Sequence, residues 1–332
     1  MSSELLTSLL RDVSRSFYLT LRILPGSVRP QISLAYLLAR ATDTIADTEV
    51  VPTDQRLNAL AELRDRILAK RSKPVNFGDL ARNQSLPAER VLLERCEEAI
   101  CILQSFPEAD RERIREVLSV ITSGQELDLV RFGSADGKRL IALETEAELD
   151  DYAYRVAGCV GEFWTKVCRA ELFPRTQLDD EALLRDGVRF GKGLQMVNIL
   201  RDLPADLRKG RCYLPMRELA KVGLKPADLL DPANQAALSP LFDRLVAVTQ
   251  AHLSVGWDYT NALPWGQVRV RLACAWPVLL GAATLRKLKV ENVLKPNHRI
   301  KISRAEVRSI ILKSVLKYPF PRKWSGQFAK SS

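Results

Sequence analysis

Residues 195–207 read QMVNILRDLPADL. Asp202 and Asp206 are four residues apart, so on a helix their carboxylates share one face about a turn from each other. Asn198 and Gln195 each fall one turn further back on the same stripe. Pro204 has no amide hydrogen and clashes with the carbonyl one turn back, which predicts that the helix bends or ends near the acid pair.

The same spacing occurs earlier. In DTIAD, Asp43 and Asp47 are again four apart on a predicted helix. Like charges so placed cost roughly a few tenths of a kcal/mol on an exposed helix, and more if buried. A divalent, oxygen-loving cation would turn that cost into a site. One such pair alone reads as two solvated acids; two pairs in one chain point to a carboxylate-walled cleft that binds Mg2+ and, through it, a diphosphate. Cations flank the acids: Arg40 lies three residues before Asp43, Arg201 adjoins Asp202, and Arg211 closes the RKGR run beginning at Arg208. A guanidinium fork can donate two hydrogen bonds to neighbouring diphosphate oxygens, although each arginine alone reads equally as a surface ion-pair partner. SRSF (Ser14, Arg15, Ser16, Phe17) reads either as a capping serine with a first helical turn or as an anion contact. YAYRVAGCVG supplies Tyr152 and Tyr154, then Ala157, Gly158 and Gly161, which permit close helix packing or room for a long ligand.

Helical spacing recurs along the chain, clearest at 85–131 and 243–256, and period-two alternation is scarce. Punctuation at 25–30, 71–74, 134–138, 204–215, 226–240 and 296–298 suits loops between helices. No linker composition interrupts the 332 residues, so the expectation is one all-α domain with a mobile, basic tail from about Tyr318. The chain is 46% hydrophobic and 27% charged, in the range of soluble globular proteins. Its six cysteines form no CxxC pair and read as reduced thiols. Two histidines leave little material for a His-ligated zinc site or a catalytic triad. The longest apolar run, 272–285, contains Pro277 and reads as a buried helix. A net charge of +10 favours an anionic partner: nucleic acid, a membrane surface or a phosphorylated substrate.

Taken in order, SRSF, YLLARATDTIAD, YAYRVAGCVG, GLQMVNILRDLPADLRKGRCYLP and CAWPVLLGAATL resemble the squalene and phytoene synthase family, most closely its squalene synthase branch. The resemblance implies the all-α isoprenoid-synthase fold, with two aspartate-rich helices facing a central cavity. It matches Asp43, Asp47, Asn198, Asp202 and Asp206 to metal positions, and Ser14, Arg15, Ser16, Tyr36, Arg40 and Gln195 to substrate positions. Tyr152 matches a tyrosine of the first half-reaction, Arg201 and Arg211 match diphosphate-handling arginines, and Phe17 matches an aromatic that shields carbocations. Ala46 and Ala205 stand where squalene synthases usually carry a further acid. By this resemblance the basic segment KYPFPRKWSGQFAK is expected to stand in place of the membrane anchor of eukaryotic squalene synthases.

The reaction so implied is the joining of two farnesyl diphosphates, dependent on Mg2+, through presqualene diphosphate, followed by reduction with NADPH to squalene. No Rossmann fingerprint is present, since Gly191 and Gly193 in FGKGLQ lack a third glycine and a preceding strand. For NADPH the resemblance points to Lys301, Ser303 and Arg304 in LKPNHRIKISR, a segment that also reads as a solvated basic loop. Release of presqualene diphosphate, hydroxysqualene, dehydrosqualene or phytoene uses the same acids and arginines. From another class, a basic helical protein could bind nucleic acid or an anionic membrane without catalysis. The aspartates beside the arginines argue against nucleic acid. The expected setting is cytoplasmic, with peripheral contact to an anionic membrane; no protein partner is readable.

Overall fold

The computed structural model describes residues 5–14, 18–135, 139–296 and 298–331. The only strands among the described residues are one parallel pair of two-residue segments, so the all-α expectation holds. The chain divides into two compact units: Met1–Gly133 with Phe163–Arg175, and Ser134–Glu162 with Thr176–Ser332.

In the first unit the central helix is α1, Arg29–Ala46. Pro30 lies in its first turn, where an absent amide hydrogen removes no intrahelical bond. Leu34, Leu37, Leu38, Ala41 and Ile45, at three-and-four spacing, are wholly buried. Around α1 pack α2 (Thr53–Ile67), α3 (Pro87–Glu94), α4 (Cys96–Gln104) and α5 (Glu108–Phe132). The last three account for the helical periodicity at 85–131. Buried Gln31 donates to Asp110 Oδ2 at 3.1 Å and ties α1 to α5. At the other end of α1, buried Arg56 of α2 donates from Nη1 to the Ala46 carbonyl at 2.7 Å, so a cation meets a carbonyl that the helix leaves unpaired.

In the second unit β1 (Ile141–Ala142) is followed by α6 (Glu146–Ala153) and a π-helical turn, Tyr154–Gly158. The long helix α7, Asp180–Arg208, begins where Asp179 Oδ1 accepts from the Ala182 amide at 2.9 Å. It ends at Arg208, just past the acid pair, as the sequence reading expected. Pro204 sits inside its last turns, where Leu200, Leu203 and Leu207 are buried around it and their packing outweighs one missing hydrogen bond. Pro240 and Pro277 lie likewise inside α8 (Gln235–Ala262) and α9 (Val268–Leu288). After α7, Gly210 takes φ +79°, the left-handed exit that glycine provides at a helix C-terminus. The chain then enters β2 (Arg211–Cys212), with Ile141 opposite Arg211 and Ala142 opposite Cys212.

Helices α7, α8 and α9 form the core of this unit. A Cβ on Gly161 would meet the Gly187 carbonyl oxygen at 1.9 Å, and one on Gly191 would meet that of Ala157 at 2.1 Å. The small residues of YAYRVAGCVG therefore serve close packing against α7. Gly193 abuts His252 and Leu253. Helix α9 is long and apolar enough to cross a membrane by length, but most of it is buried inside the unit, as the reading of 272–285 anticipated. All six cysteines are free.

Helix α10, Arg304–Lys317, packs on α9. The segment beyond it, read from sequence as a mobile tail, is docked. Trp324 is buried, stacked on Trp257 with ring centroids 5.2 Å apart, and its Nε1 donates to Asn261 Oδ1 at 2.7 Å. Arg271 lies buried against the rings of Trp265, Tyr318 and Trp324, and its guanidinium donates to the Asn261 and Leu263 carbonyls. An aromatic box that holds a desolvated cation outweighs the chain entropy that would otherwise free these residues.

Candidate active site

Both acid pairs stand in the last turns of their helices. Asp43 lies one turn from the end of α1 and Asp47 caps it; Asp202 and Asp206 lie in the last two turns of α7. A helix C-terminus carries partial negative charge, so each pair adds two carboxylates where the backbone already repels them. Such an end attracts cations.

In the first unit Arg40 answers part of that demand. It donates from Nη1 to Asp43 Oδ2 and from Nη2 to Glu89 Oε1 of α3, while its Nε is buried with no hydrogen-bond partner among the described residues. The Asp43 side chain is partly desolvated, with 43% of its area exposed. That desolvation, and next the charge of Asp47, push its pKa up to about 7 in spite of Arg40. Asp47 is exposed. Tyr36 lies one turn before Arg40, half-buried and close enough to act on its charge. Ser14 is buried and its Oγ has no hydrogen-bond partner among the described residues. Arg15, Ser16 and Phe17 lie outside the described residues.

In the second unit Asp202 carries two guanidinium groups. Arg201 Nε donates to its Oδ1 at 3.0 Å, and Arg299 donates from Nε to Oδ1 at 3.1 Å and from Nη2 to Oδ2 at 3.4 Å. One turn back, Asn198 donates from Nδ2 to Gln195 Oε1 at 3.4 Å, as expected for neighbours on one stripe. Asp206 lies one turn beyond Asp202, and Arg211 follows on β2, half-buried. The Tyr152 ring stacks on Tyr213, with centroids 4.6 Å apart. Tyr154 is occupied otherwise: its hydroxyl donates to Glu162 Oε2 at 3.3 Å and Lys192 lies over its ring.

Lys301, Ser303 and Arg304 are exposed at the start of α10. Ser303 forms a capping box: its Oγ accepts from the Glu306 amide at 3.2 Å, and its own amide donates to Glu306 Oε2 at 2.7 Å. Among the described residues no group of three or more His, Cys, Asp or Glu stands ready to hold a metal ion. The donor set fits Mg2+ nonetheless, since that ion takes one or two carboxylates, keeps waters, and completes its shell with substrate phosphate.

Three residues here escaped the sequence reading: Glu89, Tyr213 and Arg299. Tyr213 and Arg299 lie inside the segments CYLP and LKPNHRIKISR, but no local spacing ties them to Tyr152 or Asp202.

These features define a helical protein with aspartate–arginine pairs at the C-terminal ends of two of its helices. Residues 10–306 match the family model for squalene/phytoene synthase, and the chain belongs to that family. It is a prenyltransferase. It is similar to the presqualene diphosphate synthase of Rhodopseudomonas palustris, 28% identical over 302 residues, covering 90% of this chain and 91% of that one. It is also similar to the squalene synthase of Schizosaccharomyces pombe, 26% identical over 313 residues, covering 92% of this chain and 64% of that one. In fold it resembles the solved squalene synthase of Alicyclobacillus acidocaldarius, with a TM-score of 0.62 at 21% identity, over 89% of this chain and 95% of that one.

Proposed function

We propose that the enzyme joins two farnesyl diphosphates head to head through presqualene diphosphate and, with NADPH, converts that intermediate to squalene. The observation that carries this reading is the pairing of aspartates with arginines at the C-terminal ends of α1 and α7.

Asp43 with Asp47 in the first unit, and Asp202 and Asp206 with Asn198 in the second, would each offer oxygens to Mg2+. That ion supplies positive charge against the diphosphate as it leaves. Ala46 and Ala205 offer no oxygen there, so the protein contributes fewer ligands and the substrate more. Arg40, Arg201 and Arg211 donate to diphosphate oxygens, and Arg40 Nε, without a hydrogen-bond partner among the described residues, is suited to the same task. Departure of the first diphosphate leaves an allylic cation, which the double bond of the second farnesyl diphosphate attacks. Tyr152, whose ring stacks on Tyr213, and the released diphosphate are the candidate acceptors of the proton lost when the cyclopropane ring closes. Lys301 and Arg304 present exposed cations for the phosphates of NADPH, while the Ser303 hydroxyl is engaged in its helix cap.

A second reading, in which the enzyme releases presqualene diphosphate, is favoured by the R. palustris relative that spans nearly the full length of both chains. The engagement of Ser303 favours it too. Incubation with farnesyl diphosphate and Mg2+, with and without NADPH, followed by mass analysis of products, separates the two. Squalene that requires NADPH supports the full sequence; presqualene diphosphate in both arms supports the second reading. Absence of turnover would sink both. Asp43→Asn with Asp202→Asn is expected to abolish turnover while leaving the helical circular dichroism intact.

A further inference from the structure

Helix α10 has two apolar sides and only one of them is covered. Its inner side is set by Ser314, wholly buried, whose Oγ accepts from Trp276 Nε1 of α9 at 2.9 Å. At 3.6 residues per turn, Leu312 and Leu316 project from the opposite side, one turn apart. They are 59% and 62% exposed. Val315 extends this stripe sideways, and Phe320, just past the helix end, is 54% exposed. Large apolar side chains grouped in this way are a marked surface feature of a folded protein.

The charges around the stripe identify what covers it. Between residues 304 and 323 stand six basic residues, Arg304, Arg308, Lys313, Lys317, Arg322 and Lys323, and one acid, Glu306. Glu306 is already neutralised by Lys287 at 2.9 Å and by the helix cap. Lys313 and Lys317 flank Leu312 and Leu316, and Lys323 lies over the Phe320 ring at 4.9 Å. A second copy of the chain would bring the same positive charges against this face and be repelled. A surface that is apolar along its ridge, aromatic at its end and cationic along its margins is complementary to the headgroup region of an anionic bilayer.

We propose that the outer face of α10, with Phe320, docks the enzyme on anionic lipid membranes. The ridge enters the headgroup boundary while the lysines and arginines contact lipid phosphates. The proposal is independent of which product the enzyme releases.

The test is co-sedimentation of the full chain with vesicles of phosphatidylcholine alone and of phosphatidylcholine mixed with phosphatidylglycerol. Binding is expected to the mixed vesicles, weakening as salt rises. Leu312→Ser with Leu316→Ser, both at exposed positions, is expected to reduce partitioning about ten-fold or more. Lys313→Glu and Lys317→Glu should each reduce it about five-fold at low salt. Turnover of prenyl diphosphate in detergent should be unchanged in all these variants. Equal binding to both vesicle types, no binding to either, or variants that partition like the parent would overturn the proposal. So would sedimentation data in which the serine variants dissociate a dimer without altering vesicle binding.

Discussion

Arg299 lays its guanidinium along the carboxylate of Asp202, Nε 3.1 Å from Oδ1 and Nη2 3.4 Å from Oδ2, although 97 residues separate them in the chain. Arg201 is bound to the same carboxylate. A cation approaching Asp202 must therefore displace or share with a guanidinium, and a diphosphate arriving with that cation gives the displaced arginine a new partner. Arg299, 65% exposed on a segment without regular structure, is the freer of the two to move. Arg299→Gln is expected to tighten Mg2+ binding to the substrate-free protein several-fold by calorimetry, and to raise the KM for farnesyl diphosphate with a smaller change in kcat. Asp202→Asn should weaken Mg2+ binding. If that variant binds Mg2+ as the parent does, Asp202 is not a ligand; if only Arg299→Gln is without effect, the competition does not exist.

Asp43 sets a pH dependence of stability. Its pKa is raised from 3.8 to about 7, first by burial and then by Asp47. Between those values the folded protein keeps a proton that the unfolded chain has lost, so stability falls as pH rises through that window. Divalent cation removes the penalty of ionisation and should raise the melting temperature more at pH 8 than at pH 5. Thermal melts of the parent and of Asp43→Asn, with and without Mg2+, read this directly; an equal Mg2+ effect at both pH values in the parent contradicts it.

Close helix packing in the second unit depends on glycines that no rotamer change can replace. Gly161→Ala and Gly191→Ala each place a methyl group inside a backbone carbonyl contact, at 1.9 and 2.1 Å, so the backbone must move. Each is expected to cost about 1–3 kcal/mol in denaturant unfolding. Gly266→Ala, with nothing within 4 Å of the added carbon, serves as the control and should be neutral or slightly stabilising.

The C-terminal segment should detach when its cation is removed. Arg271→Met leaves the Asn261 and Leu263 carbonyls without their donor, for a loss of about 1–3 kcal/mol each at most. Trp324→Ala removes a fully buried ring, for about 3–5 kcal/mol. In both variants hydrogen exchange around residues 318–328 is expected to rise well before global unfolding, whereas exchange in α1 should hold.

The acid pairs, Asn198 with Gln195, and Arg40 beside Asp43 were legible in the sequence because each relation spans three or four residues, and helical geometry brings those spacings to one face. Pro204 was legible as a sign that α7 ends close to the acid pair, which it does at Arg208, while the packing of Leu200, Leu203 and Leu207 that carries the helix past the proline was not. The glycines at 158 and 161 left two readings open until the backbone carbonyl beside Gly161 was known.

Sequence alone determined that the chain is helical and where its charged faces lie, since periodicity and i,i+4 spacing are properties of a single segment. Only the tertiary structure decided that Arg299 meets Asp202, that Glu89 shares Arg40 with Asp43, that Tyr213 steadies Tyr152, and that Trp324 is held in an aromatic box around Arg271. All of these contacts bridge tens of residues of chain, and each forms only when burial of the surrounding apolar surface offsets the entropy of bringing distant segments together.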